Sequence, residues 1–323
     1  MHMQPRIIFM GTSTFAIPAL KELIRRKNKY RIIAVYTQPD KAQNRGLKMN
    51  CCPVKNFLKN KGLKIKEPEK INSKKELEKF QKLKPDLVIV AAYGKFIPKD
   101  FLSIPQFGFI NIHPSLLPEY RGPSPIQTAI LHQNSKTGTT IIKLNEEMDA
   151  GDILTQKEVP IDPKDDFPSL SQKLAEKSAK LLIETLPRYL NGSLKPKPQN
   201  NNQATYTKII NKKDGLINFQ KETAAQILAK FKAFKPWPNT YFYYKSKKNN
   251  ELKIDLISIS INDLITKEKA GIVQLDKKIS KYPFITTKKG IVIIKKIKPA
   301  GKSIMRSLEF INGRPDFIES RIQ

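Results

Sequence analysis

The chain has 323 residues, of which 59 are Lys or Arg and 29 are Asp or Glu, leaving a formal charge of +30. Hydrophobic residues at 39% and aromatics at 8% suffice for a core, which excludes wholesale disorder, and no apolar run approaches the roughly 20 residues of a membrane helix. The only two cysteines, Cys51 and Cys52, are adjacent, so a disulfide scaffold and a zinc module are excluded too.

At about 100–200 residues per domain, this length implies two domains. Met1–Gly11 enters a strand pattern directly, with no leader-like region, and a reducing cytoplasm is the expected compartment. The charge has two readings, a nucleic-acid partner or a Lys- and Asn-rich compositional bias. Residues 1–200 carry 34 basic and 19 acidic side chains and residues 201–323 carry 25 and 10, so the shorter C-terminal part is the denser in positive charge.

In chain order, a strand at Ile7–Met10 runs into a turn, Gly11–Ala16 (GTSTFA), which either cradles an anion on its N–H groups and the Thr12 and Ser13 hydroxyls or simply caps the next helix. A helix near Phe15–Arg26 and a strand at Ile32–Tyr36 follow, then helices at Pro53–Asn60 and Lys74–Leu83. Further strands fall at Leu87–Ala91, Phe109–Ile112 and Thr140–Leu144, with a helix at Pro125–His132. Continuous apolar strands separated by helices imply a parallel, Rossmann-like α/β sheet covered on both faces, with ligands at the carboxyl ends of the strands. A long helix over Ser169–Tyr189 closes a domain of residues 1–190. Residues 191–205, with Pro, Gly and an Asn run, then read as a linker. Residues 206–323 form the second domain. A helix at Thr223–Phe231 and strands at Thr240–Tyr244, Leu252–Ser260, Gly271–Leu275, Phe284–Thr286 and Ile291–Lys296 suggest a small, OB-like β-barrel.

Chemistry concentrates in Phe109–Gln127 (FINIHPSLLPEYRGPSPIQ). Asn111 and His113 are two apart on a strand and leave the same face, and Pro114 and Pro118 stiffen the loop that follows. The second centre is the acidic turn after Thr140–Leu144, Asn145 to Asp152, whose spacing does not fit an EF-hand. It is either a solvated turn or a device that sets Asp149 against His113. An Asn–His–Asp set with no Ser or Cys nucleophile implies group transfer to an amine that attacks by itself. Asn111 and His113 would meet a developing oxyanion, and Asp149 would stabilise the imidazolium. A Ser115–His113–Asp149 hydrolytic triad is the rival, disfavoured because Pro114 locks the chain between Ser115 and His113.

With Tyr120-Arg121-Gly122 and Met148-Asp149-Ala150-Gly151-Asp152, these segments resemble the 10-formyltetrahydrofolate-dependent formyltransferases. The resemblance is strongest to the branch that formylates methionyl-tRNA, and the opening IIFMGTSTFAIPAL, the insertion Tyr36–Val54 and Phe234–Asn239 in the basic C-terminal region carry it along nearly the whole chain. It implies catalytic Asn111, His113 and Asp149. It also implies a folate site bordered by Ser115, Leu116, Leu117, Pro118 and Tyr120, with main chain from Ala92, Tyr93 and Gly94 to Phe96 at the pterin end. Arg45 and Lys48 would enter the acceptor end of a tRNA. The implied co-substrate is 10-formyltetrahydrofolate with no metal, the implied partner is initiator methionyl-tRNA, and a monomer is expected. Two alternatives stay open: the same chemistry on a small acceptor such as glycinamide ribonucleotide or an amino sugar, and a basic RNA-binding protein without activity.

Overall fold

The computed structural model describes residues 4–43, 48–246, 250–264 and 268–322. The chain divides into two compact units, one from Met1–Ile126, Ser135–Pro163 and Ser169–Lys208, the other from Gln127–Asn134, Lys164–Pro168 and Ile209–Gln323.

The first part of the chain runs β1 (Arg6–Gly11), α1 (Ile17–Arg25), β2 (Arg31–Tyr36), the hairpin strands β3 (Lys41–Gln43) and β4 (Lys48–Asn50), α2 (Pro53–Leu58), β5 (Ile65–Lys66) and α3 (Lys74–Lys82). It continues with β6 (Leu87–Ala91), α4 (Lys99–Leu102), β7 (Phe109–His113), α5 (Pro125–Leu131), β8 (Lys136–Lys143), β9 (Ile153–Pro160) and α6 (Phe167–Leu190). Seven strands form one sheet in the order β5-β2-β1-β6-β7-β8-β9. β6 (LVIVA) is buried at every position because helices cover both sheet faces. The sheet is parallel from β5 to β7, but β8 runs antiparallel to β7 and β9 antiparallel to β8. The Rossmann-like parallel sheet expected from the sequence is present from β5 to β7 and turns antiparallel at this edge. The connection Leu144–Asp152 is too short for a crossover, which takes about a dozen residues, and the buried run of β8 carries no mark of its direction. β9, largely polar on an edge, escapes the apolar pattern altogether.

The core beneath this sheet gathers Ile8, Met10, Tyr36, Phe80, Val88, Phe101 and Phe109, with the Phe80 and Phe101 rings 4.9 Å apart. α3 delivers Phe80 to it. Ser73 Oγ caps that helix by accepting from the Glu76 N–H, and Lys79 and Lys82 suit its carboxyl end. Along α6, Leu170, Leu174, Leu181, Leu182 and Leu186 are buried, and Ser178 meets Thr139 of β8 at 2.6 Å.

The second unit contains α7 (Ala224–Ala233), β10 (Tyr241–Lys245), β11 (Glu251–Asn262), β12 (Val273–Gln274), β13 (Phe284–Thr286), β14 (Ile291–Pro299), β15 (Met305–Arg306) and α8 (Ser307–Gly313). The sheet is antiparallel, ordered β10-β11-β14-β13-β12 with β15 on β14, and among the described pairings none joins β12 to β10. Its core includes Phe219, Phe242, Tyr244, Ile254, Ile294 and Phe317. Thr223 and Gln226 cap α7 reciprocally. Alternation along β10 leaves Tyr243 and Lys245 exposed, next to Lys253 of β11. No described helix is long and apolar enough to cross a membrane.

Candidate functional site

The sheet order brings the loops after β1 and β6 together at the point where successive connections leave in opposite directions, the usual place for a ligand in an open α/β sheet. Thr12 N–H donates to Ala92 O at 3.1 Å and Thr12 Oγ1 donates to Tyr93 O at 2.9 Å. Gln38 Nε2 donates to the carbonyls of Tyr93 and Gly94, both at 2.9 Å, and Lys95 Nζ to those of Pro68 and Glu69. Ala92 (φ 46°) and Gly94 (φ 76°) are left-handed, which turns this loop back over the end of β6. Tyr93 points into the core, where burial pushes its phenol above the ordinary range, so only its main chain belongs to the loop surface. Phe96 is 68% exposed. The Thr12 hydroxyl, offered by the sequence as an anion donor, is spent on Tyr93 O and accepts from Gln38 N–H.

At the carboxyl end of β7, Asn111 and His113 share a face as the strand period requires. The β8–β9 connection folds back to bring Asp149 to them. Asn111 Nδ2 donates to Asp149 Oδ1 at 3.3 Å, and His113 Nδ1 lies 3.5 Å from the same oxygen. The other carboxylate oxygen, Oδ2, accepts from Gly122 N–H at 2.9 Å. His113 Nε2 sits 2.9 Å from Tyr120 O. A carbonyl only accepts, so Nε2 carries hydrogen there and Nδ1 is the nitrogen left to exchange a proton beside Asp149. Asp149 holds φ 50°, and Gly151 tolerates no side chain, since a Cβ there would lie 1.9 Å from Lys143 O. The acidic turn is thus shaped to present one carboxylate inward.

The loop after His113 is pinned to β8 and β9. Thr140 Oγ1 donates to Ser115 O and accepts from Leu117 N–H, while Gln156 Nε2 donates to Leu117 O at 2.6 Å. Ser115 is fully buried and its hydroxyl donates to Glu119 O at 2.6 Å. That bond, together with the Tyr120 contact of His113, leaves no Ser115–His113 pair, so the triad geometry is not formed. Leu116 packs over Gly138 of β8, where a Cβ would lie 2.3 Å from Leu116 Cδ2 and 2.5 Å from Lys157 O. Gly138→Ala is therefore expected to destabilise the protein by about 1–3 kcal/mol and to shift this loop. Thermal unfolding would show it as a lowered midpoint, and an unchanged midpoint would mean that Leu116 and β9 yield freely.

Residues 199–207 pack along the same loop, although the sequence read residues 191–205 as a linker. Tyr120 N–H donates to Thr205 Oγ1, Arg121 N–H to Thr205 O and Thr207 N–H to Arg121 O, each at 2.8 Å. Among the polar residues of this neighbourhood, Arg121 is visible in the sequence only as part of a motif, without a role, and Gln199 not at all. Their signal was faint: an arginine inside Tyr-Arg-Gly, and a glutamine after Lys-Pro-Lys-Pro.

Of the two basic residues expected to face a tRNA, Arg45 lies outside the described residues and Lys48 begins β4, its backbone paired with Gln43. Lys55, on α2 after these strands, has its Nζ 2.7 Å from Asp40 and 2.9 Å from Glu67. Those carboxylates, Asp40 first, hold the ammonium above its ordinary range, and Lys55 holds Asp40 below its own. Among the described residues, no three His, Cys, Asp or Glu cluster as metal ligands.

Residues 5–186 match the family model for formyl transferase, and residues 209–315 match that for the formyl transferase C-terminal domain. A methionyl-tRNA formyltransferase of Thermodesulfovibrio yellowstonii is 38% identical over 313 residues, 97% of each chain. Another, from a Sulfurihydrogenibium species, is 40% identical over 274 residues, covering 83% of this chain and 87% of that one. Among solved structures, an N-formyltransferase from Helicobacter canadensis shares the fold at TM-score 0.63 and 18% identity, over 90% of this chain and 99% of that one. HypX from Aquifex aeolicus, solved in complex with tetrahydrofolic acid, shares it at TM-score 0.64 and 17% identity over 95% of this chain, which spans only 47% of HypX.

Proposed function

This chain belongs to the formyl transferase family, and we propose that it transfers the formyl group of 10-formyltetrahydrofolate to the α-amine of initiator methionyl-tRNA, in the cytoplasm, giving N-formylmethionyl-tRNA for translation initiation. The observation that carries the choice of acceptor is the 38% identity to a methionyl-tRNA formyltransferase along 97% of both chains, basic second domain included.

The bound donor supplies an electrophilic formyl carbon. Asn111, His113 and Asp149 are the catalytic groups. The Asn111 amide donates to the negative charge that develops on the formyl oxygen, a donor already oriented at the strand end by Asp149. As the amine–formyl bond forms and the bond from the formyl carbon to the tetrahydrofolate nitrogen breaks, His113 Nδ1 takes the proton lost by the attacking amine and returns it to that departing nitrogen, while Tyr120 O holds Nε2. Asp149 Oδ1, 3.5 Å from Nδ1, balances the imidazolium. The left-handed loop from Ala92 through Tyr93 and Gly94 to exposed Phe96 holds the pterin end with main-chain groups. Ser115, Leu116, Leu117, Pro118 and Tyr120 border the rest of the folate, their loop held by Thr140 and Gln156.

The acceptor's phosphates explain a positive surface. On the second domain's sheet, exposed Tyr243 lies opposite Lys253, which pairs with Asp255, while Lys245 and Lys298 lie opposite Glu251 and Asp255, so the RNA reading of this domain rests on its net charge and the exposed Tyr243. Arg45 and Lys48 are assigned to the acceptor end. Arg45→Ala is expected to raise KM for tRNA about tenfold and to reduce the salt slope of binding by about one. An unchanged kcat/KM at every salt concentration would remove that assignment.

The test of the function is a formyl-transfer assay with 10-formyltetrahydrofolate and three acceptors: charged initiator tRNA, glycinamide ribonucleotide and a nucleotide-linked amino sugar. One added formyl mass on methionyl-tRNA alone is the expected result. Transfer only to a small acceptor, or no transfer at all, would refute it.

A further inference from the structure

We infer that Arg121 and Gln199 form a clamp that positions Asp149 for the transfer, an inference that rests on the formyl-transfer reading above. Arg121 is 1% exposed and heads the fully buried side chains by volume. Every hydrogen-bond acceptor described for its guanidinium is neutral. Gln199 Oε1 accepts from Nε at 3.1 Å and from Nη2 at 2.8 Å, Asn201 Oδ1 accepts from Nη2 at 2.7 Å, and the Tyr206 hydroxyl accepts from Nη1 at 3.4 Å. A buried guanidinium stays charged, so these bonds compensate a strong field and are costly to break.

The orientation of Gln199 follows from its partners. Arginine only donates, so Oε1 must face it, and Nε2 then faces the carbonyls of Asp149 at 2.8 Å and Gly151 at 2.7 Å. One amide thus spans the buried cation and the two carbonyls that flank Ala150. Asp149 needs that hold. Its φ of 50° lies in the left-handed region, which Asp enters more readily than most residues, so the hydrogen bonds at both ends of the turn decide how firmly it is held there. A second route reaches its side chain, because the N–H of Gly122, the residue after Arg121, donates to Asp149 Oδ2 at 2.9 Å. Arg121 therefore controls the Asp149 main chain through Gln199 and its carboxylate through Gly122. Neither residue is assigned to the reacting atoms; both are positioning residues.

Gln199→Glu isolates the effect. The variant keeps an acceptor for Arg121 and adds a charge pair, so the fold is retained. It replaces the donating amide with a carboxylate oxygen facing two carbonyls, which pushes the Asp149 turn away. With kcat and KM measured for donor and for methionyl-tRNA, kcat is expected to fall about 10- to 100-fold, the scale of a misplaced catalytic group. Both KM values should stay within about twofold and the unfolding midpoint should not drop. Gln199→Asn keeps the amide but is one carbon too short to span Arg121 and both carbonyls. It should show the same loss, and it carries the test alone if the Glu variant does not fold. A wild-type kcat in the folded variants, or a loss confined to KM, overturns the clamp while leaving the formyl-transfer reading intact. A wild-type protein that formylates no acceptor overturns both.

Discussion

Asp149→Ala is expected to lower kcat for formyl transfer by about 10²–10⁴-fold, some 3–5 kcal/mol of transition-state stabilisation, while tRNA affinity stays within about twofold. The size follows from how many groups converge on one carboxylate. Oδ1 faces both Asn111 Nδ2 and His113 Nδ1, and Oδ2 accepts from Gly122 N–H. Removing it takes away the charge opposite the imidazolium and frees Asn111 and the loop at Gly122 to reorient. Asp149→Asn should be nearly as damaging. Both positions around the side-chain end are met by donors, so an amide necessarily turns its own N–H₂ toward one of them. Single-turnover kinetics give the chemical step and filter binding gives the tRNA affinity. A chemical step within about threefold of wild type would remove Asp149 from the mechanism, and an equal loss of tRNA affinity would make it a binding residue instead.

Asn111→Ala is the second large effect, an expected fall in kcat of about 10²–10³-fold from the loss of one oxyanion donor. Asn111 sits inside β7, paired with Val90 on one side and Ile142 on the other, and alanine keeps both ladders. The unfolding midpoint should therefore move by only a few degrees while the rate collapses. KM for the formyl donor should change little, because the residues assigned to border the folate are left in place. If rate and midpoint fell together in proportion, Asn111 would be a structural residue of the strand end.

The two substitutions draw on different layers of information. That Asn111 and His113 share a face was legible from the strand period alone, because alternation is a local property of extended backbone. The acidic turn was legible as well, through its composition and its glycine. What stayed hidden was the direction of the strand that carries it. A buried strand looks the same in sequence whether it runs parallel or antiparallel, and only the shortness of Leu144–Asp152 hinted that β8 and β9 form an antiparallel edge. The partners of the segment read as a linker stayed hidden for a related reason. Pro, Asn and Lys read as solvated linker, yet Gln199 and Asn201 find their partners in Arg121, 78 and 80 positions earlier in the chain. No local pattern encodes a hydrogen bond across that separation.

Residue pattern alone dictates the alternation of buried strands and helices, the Asn–His pair at a strand end, the Pro-stiffened loop and a family resemblance that both domains bear out. These are short-range facts, set by side-chain period and backbone restriction. It takes the folded chain to bring Asp149 to both Asn111 and His113, to spend the Ser115 hydroxyl on Glu119, and to set a buried arginine and one glutamine amide against the acidic turn. Those choices depend on which distant donor meets which acceptor once water is excluded, and the packed chain alone makes that selection.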